Sequence, residues 1–196
     1  MIDVTYGNLS QEQADRMLYA SASGADYPAG ATEPWIADLL CALLVATGRT
    51  TVLETGGFLG HTSERLADTI AMTGDGFLTV CEVDPVRANA IHDRLEQSGI
   101  LPLNQWTVRQ EDALTVIRSL PDGELGLAFV DDDHDKNHVI EEIEALIPKM
   151  TPNGIMCFHD VFGSCDLQEV VRSYGGLCLD FPRAGPAGGL GIIQCS

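Results

Sequence analysis

Acidic and imidazole side chains in this 196-residue chain fall in short clusters, each at the end of an apolar or β-branched run. Glu54 closes Thr51–Glu54, Glu82 closes Phe77–Glu82 with Asp84 just beyond, and Glu111-Asp112 follow Trp106–Arg109. Asp131-Asp132-Asp133-His134 follow Gly126–Val130, and His159-Asp160 follow Gly154–Phe158. Carboxylates accept hydrogen bonds from hydroxyls and ammonium groups and bind hard cations, while imidazoles take up or release protons near neutral pH. The chemistry such a set supports is the holding of a polyhydroxylated or cationic ligand beside a group that moves a proton. The preference of helix N-caps for Asp accounts for Asp112 and Asp84 alone. Three adjacent carboxylates at Asp131–Asp133 repel by roughly 1 kcal/mol per pair at about 4 Å in water, and a cation relieves that cost.

The runs that carry these residues alternate with amphipathic stretches. A helix is expected from Pro34 to Gly48, where Ile36, Leu39, Leu40, Leu43 and Leu44 recur at helical spacing. Others are expected over Thr62–Met72, from Asp84-Pro85 to Gly99, from Asp112 to Leu120 and over Asp166–Tyr174. One more follows the Gly126–Val130 strand, with Val139, Ile140, Ile143, Leu146, Ile147 and Met150 on one side. Two closing strands, Leu177–Phe181 and Leu190–Cys195, flank a Gly/Pro-rich loop, Pro182–Gly189, with no helix between them. Strand–helix alternation builds a parallel sheet covered on both faces. The expected fold is therefore α/β: a doubly wound, mostly parallel seven-stranded sheet with an antiparallel C-terminal hairpin. Residues 1–196 form one domain, with residues 1–30 as an N-terminal extension (a helix over Ser10–Leu18, a loop over Ser21–Gly30). Ligands of such sheets sit at the carboxyl ends of the strands, where every cluster above falls.

Composition narrows the partners. Eleven Lys+Arg against 29 Asp+Glu give a formal net charge of −18, a surface that repels phosphate backbones and anionic lipid. No apolar run approaches the roughly 20 residues of a membrane span, and Met1-Ile2-Asp3 opens nothing like a signal peptide. A cytoplasmic protein with no nucleic-acid or membrane partner is expected. The six cysteines form no CxxC pair and read as small buried hydrophobes in a reducing compartment.

Residues 54–62 read Glu-Thr-Gly-Gly-Phe-Leu-Gly-His-Thr. A dinucleotide fingerprint needs Gly-x-Gly-x-x-Gly, but Phe58 and His61 occupy its second and third glycine positions. Glu54 would also set a negative charge near a diphosphate. A ligand with positive charge and no phosphate suits the loop better, and S-adenosyl-L-methionine, with its sulfonium, ammonium and ribose, is one. Glu82 stands where it can accept both ribose hydroxyls, Glu54 can serve the ammonium, and Gly56 and Gly60 let the backbone approach.

The chain resembles the class I S-adenosylmethionine-dependent methyltransferases from about Ala31 to Cys195, and most of all the small O-methyltransferases of the catechol and caffeoyl-CoA type. The residue 54–62 loop is similar to that family's Glu-x-Gly-x-x-x-Gly-x-Ser/Thr segment, which implies cofactor contacts from Glu54, Gly56, Gly57, Phe58, Gly60 and Thr62. Cys81-Glu82-Val83-Asp84-Pro85 resembles the ribose-binding strand end, and Gln110-Glu111-Asp112 the segment beside adenine. Asp131-Asp132-Asp133-His134-Asp135 resembles the segment whose first Asp binds a divalent cation and whose Lys is assigned as base. Gly154–Asp160 resembles the strand supplying the second metal carboxylate, here Asp160. Two positions depart: His134 replaces the lysine, and Val161 replaces the asparagine after the second Asp.

The resemblance implies methyl transfer to a hydroxyl of a small molecule. His134 or His159 would take the proton, with Asp131 at the reacting centre, or a cation on Asp131, Asp160 and His159 would lower the hydroxyl pKa. Oxygen ligands suit Mg²⁺ or Ca²⁺, and a histidine contribution tilts toward Mn²⁺, Fe²⁺ or Zn²⁺. Two other readings compete: a catalytically idle module that binds S-adenosylmethionine, and a nicotinamide-dependent oxidoreductase, against which the glycine positions and Glu54 argue. A homodimer could complete the substrate pocket. His92 and His138 read as surface residues, His61 as a neighbour of adenosine, and Phe58, Trp106 and Phe162 as core or pocket wall.

Overall fold

Helix caps and strand ends coincide along one edge of this fold. The computed structural model describes residues 31–48, 50–163, 165–181 and 188–196. The expected helix at Ser10–Leu18, the loop at Ser21–Gly30 and residues 182–187 of the closing loop lie outside them. Within them the order is α1 (Pro34–Thr47), β1 (Thr51–Thr55), α2 (His61–Thr73), β2 (Phe77–Cys81), α3 (Pro85–Ser98), β3 (Trp106–Arg109) and α4 (Ala113–Ser119). Then follow β4 (Leu125–Val130), α5 (Lys136–Leu146), a 3₁₀ turn (Ile147–Lys149), β5 (Met150–His159), α6 (Cys165–Ser173), β6 (Leu177–Leu179) and β7 (Leu190–Gln194). Asp84 caps α3 by accepting from the Val86 and Arg87 N–H groups, Asp112 caps α4 through Thr115, and Asp135 caps α5 through Asn137 and His138. Each cap satisfies orphan N–H groups of a first helical turn that begins just beyond a strand's carboxyl end.

The seven strands lie in the order β3-β2-β1-β4-β5-β7-β6. The five from β3 to β5 are parallel, and β7 runs antiparallel to both β5 and β6. The expected C-terminal antiparallel pair is present, with β7 inserted between β5 and β6. Two element boundaries differ from the sequence expectation. Met150 opens β5 and is not part of α5, which stops at Leu146 before Pro148 in the 3₁₀ turn. Proline has no N–H to continue the ladder. β5 is also longer than Gly154–Phe158, running back to Met150 with a register shift against β4 between Leu125 and Leu127.

Period-2 alternation sends successive strand residues to opposite faces. Val52, Val80, Leu127, Phe129 and Cys157 pack with Ile36, Leu40 and Leu44 of α1, Leu66 and Ile70 of α2 and Ile91 of α3. Leu53, Cys81, Ala128, Val130 and Phe158 pack with Val116 of α4, Val139 and Ile143 of α5 and Val171 of α6. β4 is buried along its whole length, as a central strand covered on both faces must be. Trp106 and Phe162 belong to these cores. Cys41, Cys81 and Cys157 are buried and free, Cys178 and Cys195 half-buried and free; the Cys165 side chain lies outside the described part. No helix among the described residues is long and apolar enough to cross a membrane.

Candidate active site

The carboxyl edge of the sheet opens into a cavity of about 800 Å³, walled by the ends of all five parallel strands. Of the strand-end acids singled out in the sequence, Glu54, Glu82, Glu111, Asp112, Asp131, Asp132, Asp133 and Asp160 line it, and Asp84 is taken up as the α3 cap. So do Gly56, Gly57, Phe58, Thr62 and Val83, together with His61, His134, His138 and His159.

The glycine loop is drawn against the neighbouring strand by N–H donation from Gly56 to the Cys81 carbonyl at 2.9 Å. Gly56 has φ 71°, and a Cβ there would lie 2.3 Å from the Asp131 carbonyl oxygen, so only glycine fits. Gly60 stands just before α2, the position from which a helix presents its N–H groups. Phe58, with φ 50°, holds a backbone conformation costly for an aromatic residue. Its N–H donates to Glu82 Oε2 at 3.0 Å, and the Asp84 N–H donates to Glu82 Oε1 at 3.0 Å. Each Glu82 oxygen is thereby fixed by one backbone donor and keeps a lone pair for another. The Arg87 guanidinium lies over the Phe58 ring, 4.8 Å from its centre. Glu111 pairs with Arg109 at 2.6 Å, and Asp112 is engaged as the α4 cap.

Glu54 is almost fully buried and accepts from Ser63 Oγ at 2.5 Å. Burial pushes its carboxyl up to about 8, against the Ser63 hydrogen bond and with the help of Asp131 and Glu82. Asp131 accepts from Thr32 Oγ1 on Oδ2 at 2.8 Å and faces His159 Nδ1 from Oδ1 at 2.9 Å. Glu33 Oε2 faces the other ring nitrogen of His159, Nε2, at 2.8 Å. Burial alone would lower the His159 pKa, but hydrogen bonds to Asp131 and Glu33 override it and push it up to about 10. A carboxylate on each ring nitrogen favours the imidazolium form of His159, which donates to both and keeps no lone pair. Asp160, with φ 51°, sits 3.7 Å from His159 Nδ1.

This arrangement bears on the expected cation. Among the described residues, two sets of possible ligand atoms around His159 lie within 4.8 Å of one another: Asp131 with His134 and His159, and Glu33 with His159 and Asp160. Asp131 and Asp160 share neither. His159 carries the local positive charge itself, so a cation ligated by Asp131, Asp160 and His159 does not fit the residues as they stand. His134, half-exposed with Nε2 3.8 Å from Asp131 Oδ1, remains open to the cavity.

Several participants were absent from the sequence reading. Thr32 and Glu33 reach His159 and Asp131 from the start of α1; the one local signal, an acid before Pro34, reads equally as a cap. His138, expected on the surface, instead turns to Asp132 Oδ2 at 3.2 Å and lines the cavity. Glu142, one turn further along α5, is wholly buried, with no N–H or hydroxyl donor on either carboxyl oxygen and the Asp132 carboxylate against it. Burial and the facing Asp132 push its carboxyl up to about 9.

These shifts set the pH dependence of folding. Glu54 titrates at 4.5 when unperturbed and about 8 here, and His159 at 6.5 and about 10. Both groups bind a proton more tightly in the folded chain, so their contribution is full below the unperturbed value and is lost as pH rises through the folded one. Glu142 acts in the same sense. The melting temperature of the unliganded protein should therefore fall between pH 6 and 9, by about 2–4 °C for each kcal/mol lost. A melting temperature that stays flat or rises over this range, by calorimetry in low-salt buffers, would contradict both the burial of Glu54 and Glu142 and the pairing of His159 with Asp131 and Glu33.

Comparison with known proteins gives the family and the fold. Residues 53–161, from β1 to just past β5, match the methyltransferase domain family. A protein of Mycolicibacterium vanbaalenii assigned as an O-methyltransferase is 28% identical over 141 residues, covering 71% of this chain and 60% of that relative's length. The O-methyltransferase from Bacillus cereus, solved in complex with SAH, superimposes with a TM-score of 0.66 at 17% identity over 99% of this chain and 94% of that one. The O-methyltransferase TomG of Streptomyces achromogenes, involved in tomaymycin synthesis and solved with SAM, gives 0.67 at 18% identity over 96% and 92%. At such identities the two structures share the fold. The match across the five parallel strands and the loops that build the cavity places the chain in the methyltransferase domain family, to which it belongs.

Proposed function

We propose that this protein transfers the methyl group of S-adenosyl-L-methionine to a hydroxyl oxygen of a small molecule. The observation that carries the reading is Glu82, whose two oxygens are each held by a backbone N–H and left with free lone pairs toward the cavity. That is the arrangement a vicinal diol needs. Gly56 and Gly57 let the loop close against Asp131 and against Val80 and Ile91, where any Cβ would collide, and Glu54 is a buried acid short of a positive partner, which an ammonium would provide. Phe58, Val83, Glu111 and Asp112 would border the adenosine, and Gly60 and Thr62 the turn beneath it.

When bound, S-adenosylmethionine supplies a methyl carbon activated by its sulfonium. The residues around it do the rest. The cavity holds donor and acceptor in line, which alone removes much of the barrier. His134 accepts the hydroxyl proton at its free ring nitrogen. His159 does not act as the base, because both its nitrogens already carry protons; it holds Asp131 and Glu33 in place. No step is routed through a cation on Asp131 and Asp160.

Glu82→Ala should weaken S-adenosylhomocysteine binding by about 1.5–3 kcal/mol, roughly 10- to 150-fold, the range for hydrogen bonds to a charged group. Calorimetry reads it, with circular dichroism as the control for folding; unchanged affinity in a folded variant would remove Glu82 from the site. Methyl transfer itself is tested with S-adenosylmethionine and a panel of small phenols, catechols and aliphatic alcohols beside amines. Turnover on a hydroxyl supports the reading. Tight cofactor binding without turnover on any acceptor would favour an idle binding module.

A further inference from the structure

Outside the His159 clamp, a second cluster on the cavity wall has the makings of a metal site. We propose that Asp132, His138 and Glu142 bind a divalent transition-metal ion of the zinc or manganese class. His138 and Glu142 are four residues apart on α5 and so share one face of the helix, and Asp132 faces them from the loop after β4.

The distances suit an ion better than they suit direct pairing. His138 Nε2 lies 3.2 Å from Asp132 Oδ2 and 3.7 Å from Glu142 Oε2, and all three ligand atoms lie within 4.8 Å of one another. Ligands about 2.0–2.1 Å from a tetrahedral ion stand about 3.3 Å apart. Independently, Glu142 has no exposed surface, no N–H or hydroxyl donor reaches either of its oxygens, and its carboxyl is set against that of Asp132. A buried carboxyl that no donor reaches is costly, and here it faces a second carboxylate, with an imidazole nitrogen 3.7 Å away.

The surroundings orient the ligands. Thr55 Oγ1 donates to Asp132 Oδ1 at 3.1 Å, leaving Oδ2 for the ion, and Asp135 fixes the first turn of α5 by accepting from the His138 N–H. Such outer hydrogen bonds are what hold metal ligands in register. Asp132 and His138 line the cavity, which leaves an open side for water or a further ligand. One nitrogen and two oxygen donors favour Zn²⁺, Mn²⁺, Fe²⁺ or Co²⁺ over Mg²⁺ or Ca²⁺. Bound there, the ion would tie α5 to the segment carrying Asp131 and His134. The inference does not depend on methyl transfer.

The test uses the whole chain stripped of metal by chelation. Zn²⁺, Mn²⁺, Mg²⁺ and Ca²⁺ are titrated in turn, with calorimetry and melting temperature as readouts, and Co²⁺ serves as an absorption probe of a nitrogen-oxygen site. The expected result is one equivalent of Zn²⁺ or Mn²⁺, with a melting rise of about 5–10 °C at 100 times the dissociation constant. Glu142→Gln and His138→Gln should each weaken binding at least tenfold, and Asp160→Asn should leave it unchanged. The half-exposed His138 keeps the test decisive should Glu142→Gln fail to fold. No binding of any of these ions would overturn the proposal, and a proton on Glu142 would then be its only neutraliser. Binding that survives both α5 variants, or that is lost in Asp160→Asn instead, would also overturn it.

Discussion

Replacing His134 by Gln lowers kcat for methyl transfer by about 10²- to 10⁴-fold, the usual worth of a positioned general base, while S-adenosylhomocysteine affinity stays within about twofold. The expectation rests on elimination by geometry. Of the four histidines that line the cavity, His61 lies against Arg94, His138 is turned to Asp132, and His159 is spent, with Asp131 on one nitrogen and Glu33 on the other. His134 is held only loosely, 3.8 Å from Asp131, and is half-open to the cavity. A His134→Gly variant should regain part of its rate when imidazole is added. His159→Gln behaves differently. It strands Asp131 and Glu33 without their counter-charge, and breaking a buried pair from one side costs about 3–5 kcal/mol, so its main effect is a lowered melting temperature. If His134→Gln turns over like the wild type, no imidazole serves as base and positioning carries the rate.

Gly56→Ala should cost about 2–6 kcal/mol of stability and abolish measurable cofactor binding. Left-handed backbone strain contributes about 1–3 kcal/mol of this, and overpacking against a rigid neighbour about 1–3 more. The neighbour is backbone: the new Cβ would meet the Asp131 carbonyl oxygen at 2.3 Å and Asp132 Cα at 2.7 Å. Neither can swing aside without moving the segment that carries Asp131 and His134. Gly48→Ala is the control, since Gly48 has φ 63° but nothing within 4 Å of its Cβ position. A Gly56→Ala melting temperature no lower than that of Gly48→Ala would mean that β1 and β4 do not approach as closely as described.

The fold was readable from the sequence because its signals are local. β-branched runs, caps such as Asp84 and Asp112, and glycines at helix ends each act within a few residues. The boundary at Met150 was misplaced because helical spacing continues past Pro148 although the backbone does not. The strand-end acids were readable for the same reason: the rule that ligands gather at carboxyl ends turns a linear position into a spatial one. What the sequence hid were long-range pairings. Glu33 meets His159 across 126 positions of the chain, and nothing near either residue announces it. That single contact turns His159 from a candidate base or metal ligand into a fixed cation. His138 was misread because its helix face is set by what α5 packs against, and its partner Glu142 looks in sequence like any solvated acid.

The insertion of β7 between β5 and β6 orders events during synthesis. The five parallel strands can pair as they leave the ribosome, but β5, which carries His159 at its end, keeps one edge open until residues 190–194 emerge. Through that interval Ile155–His159 present unpaired N–H and C=O groups, the template that exposed sheet edges offer to other chains. A nascent chain stalled after β6 would therefore display a hydrophobic strand, flanked on one side only, to every other copy being made on the same message.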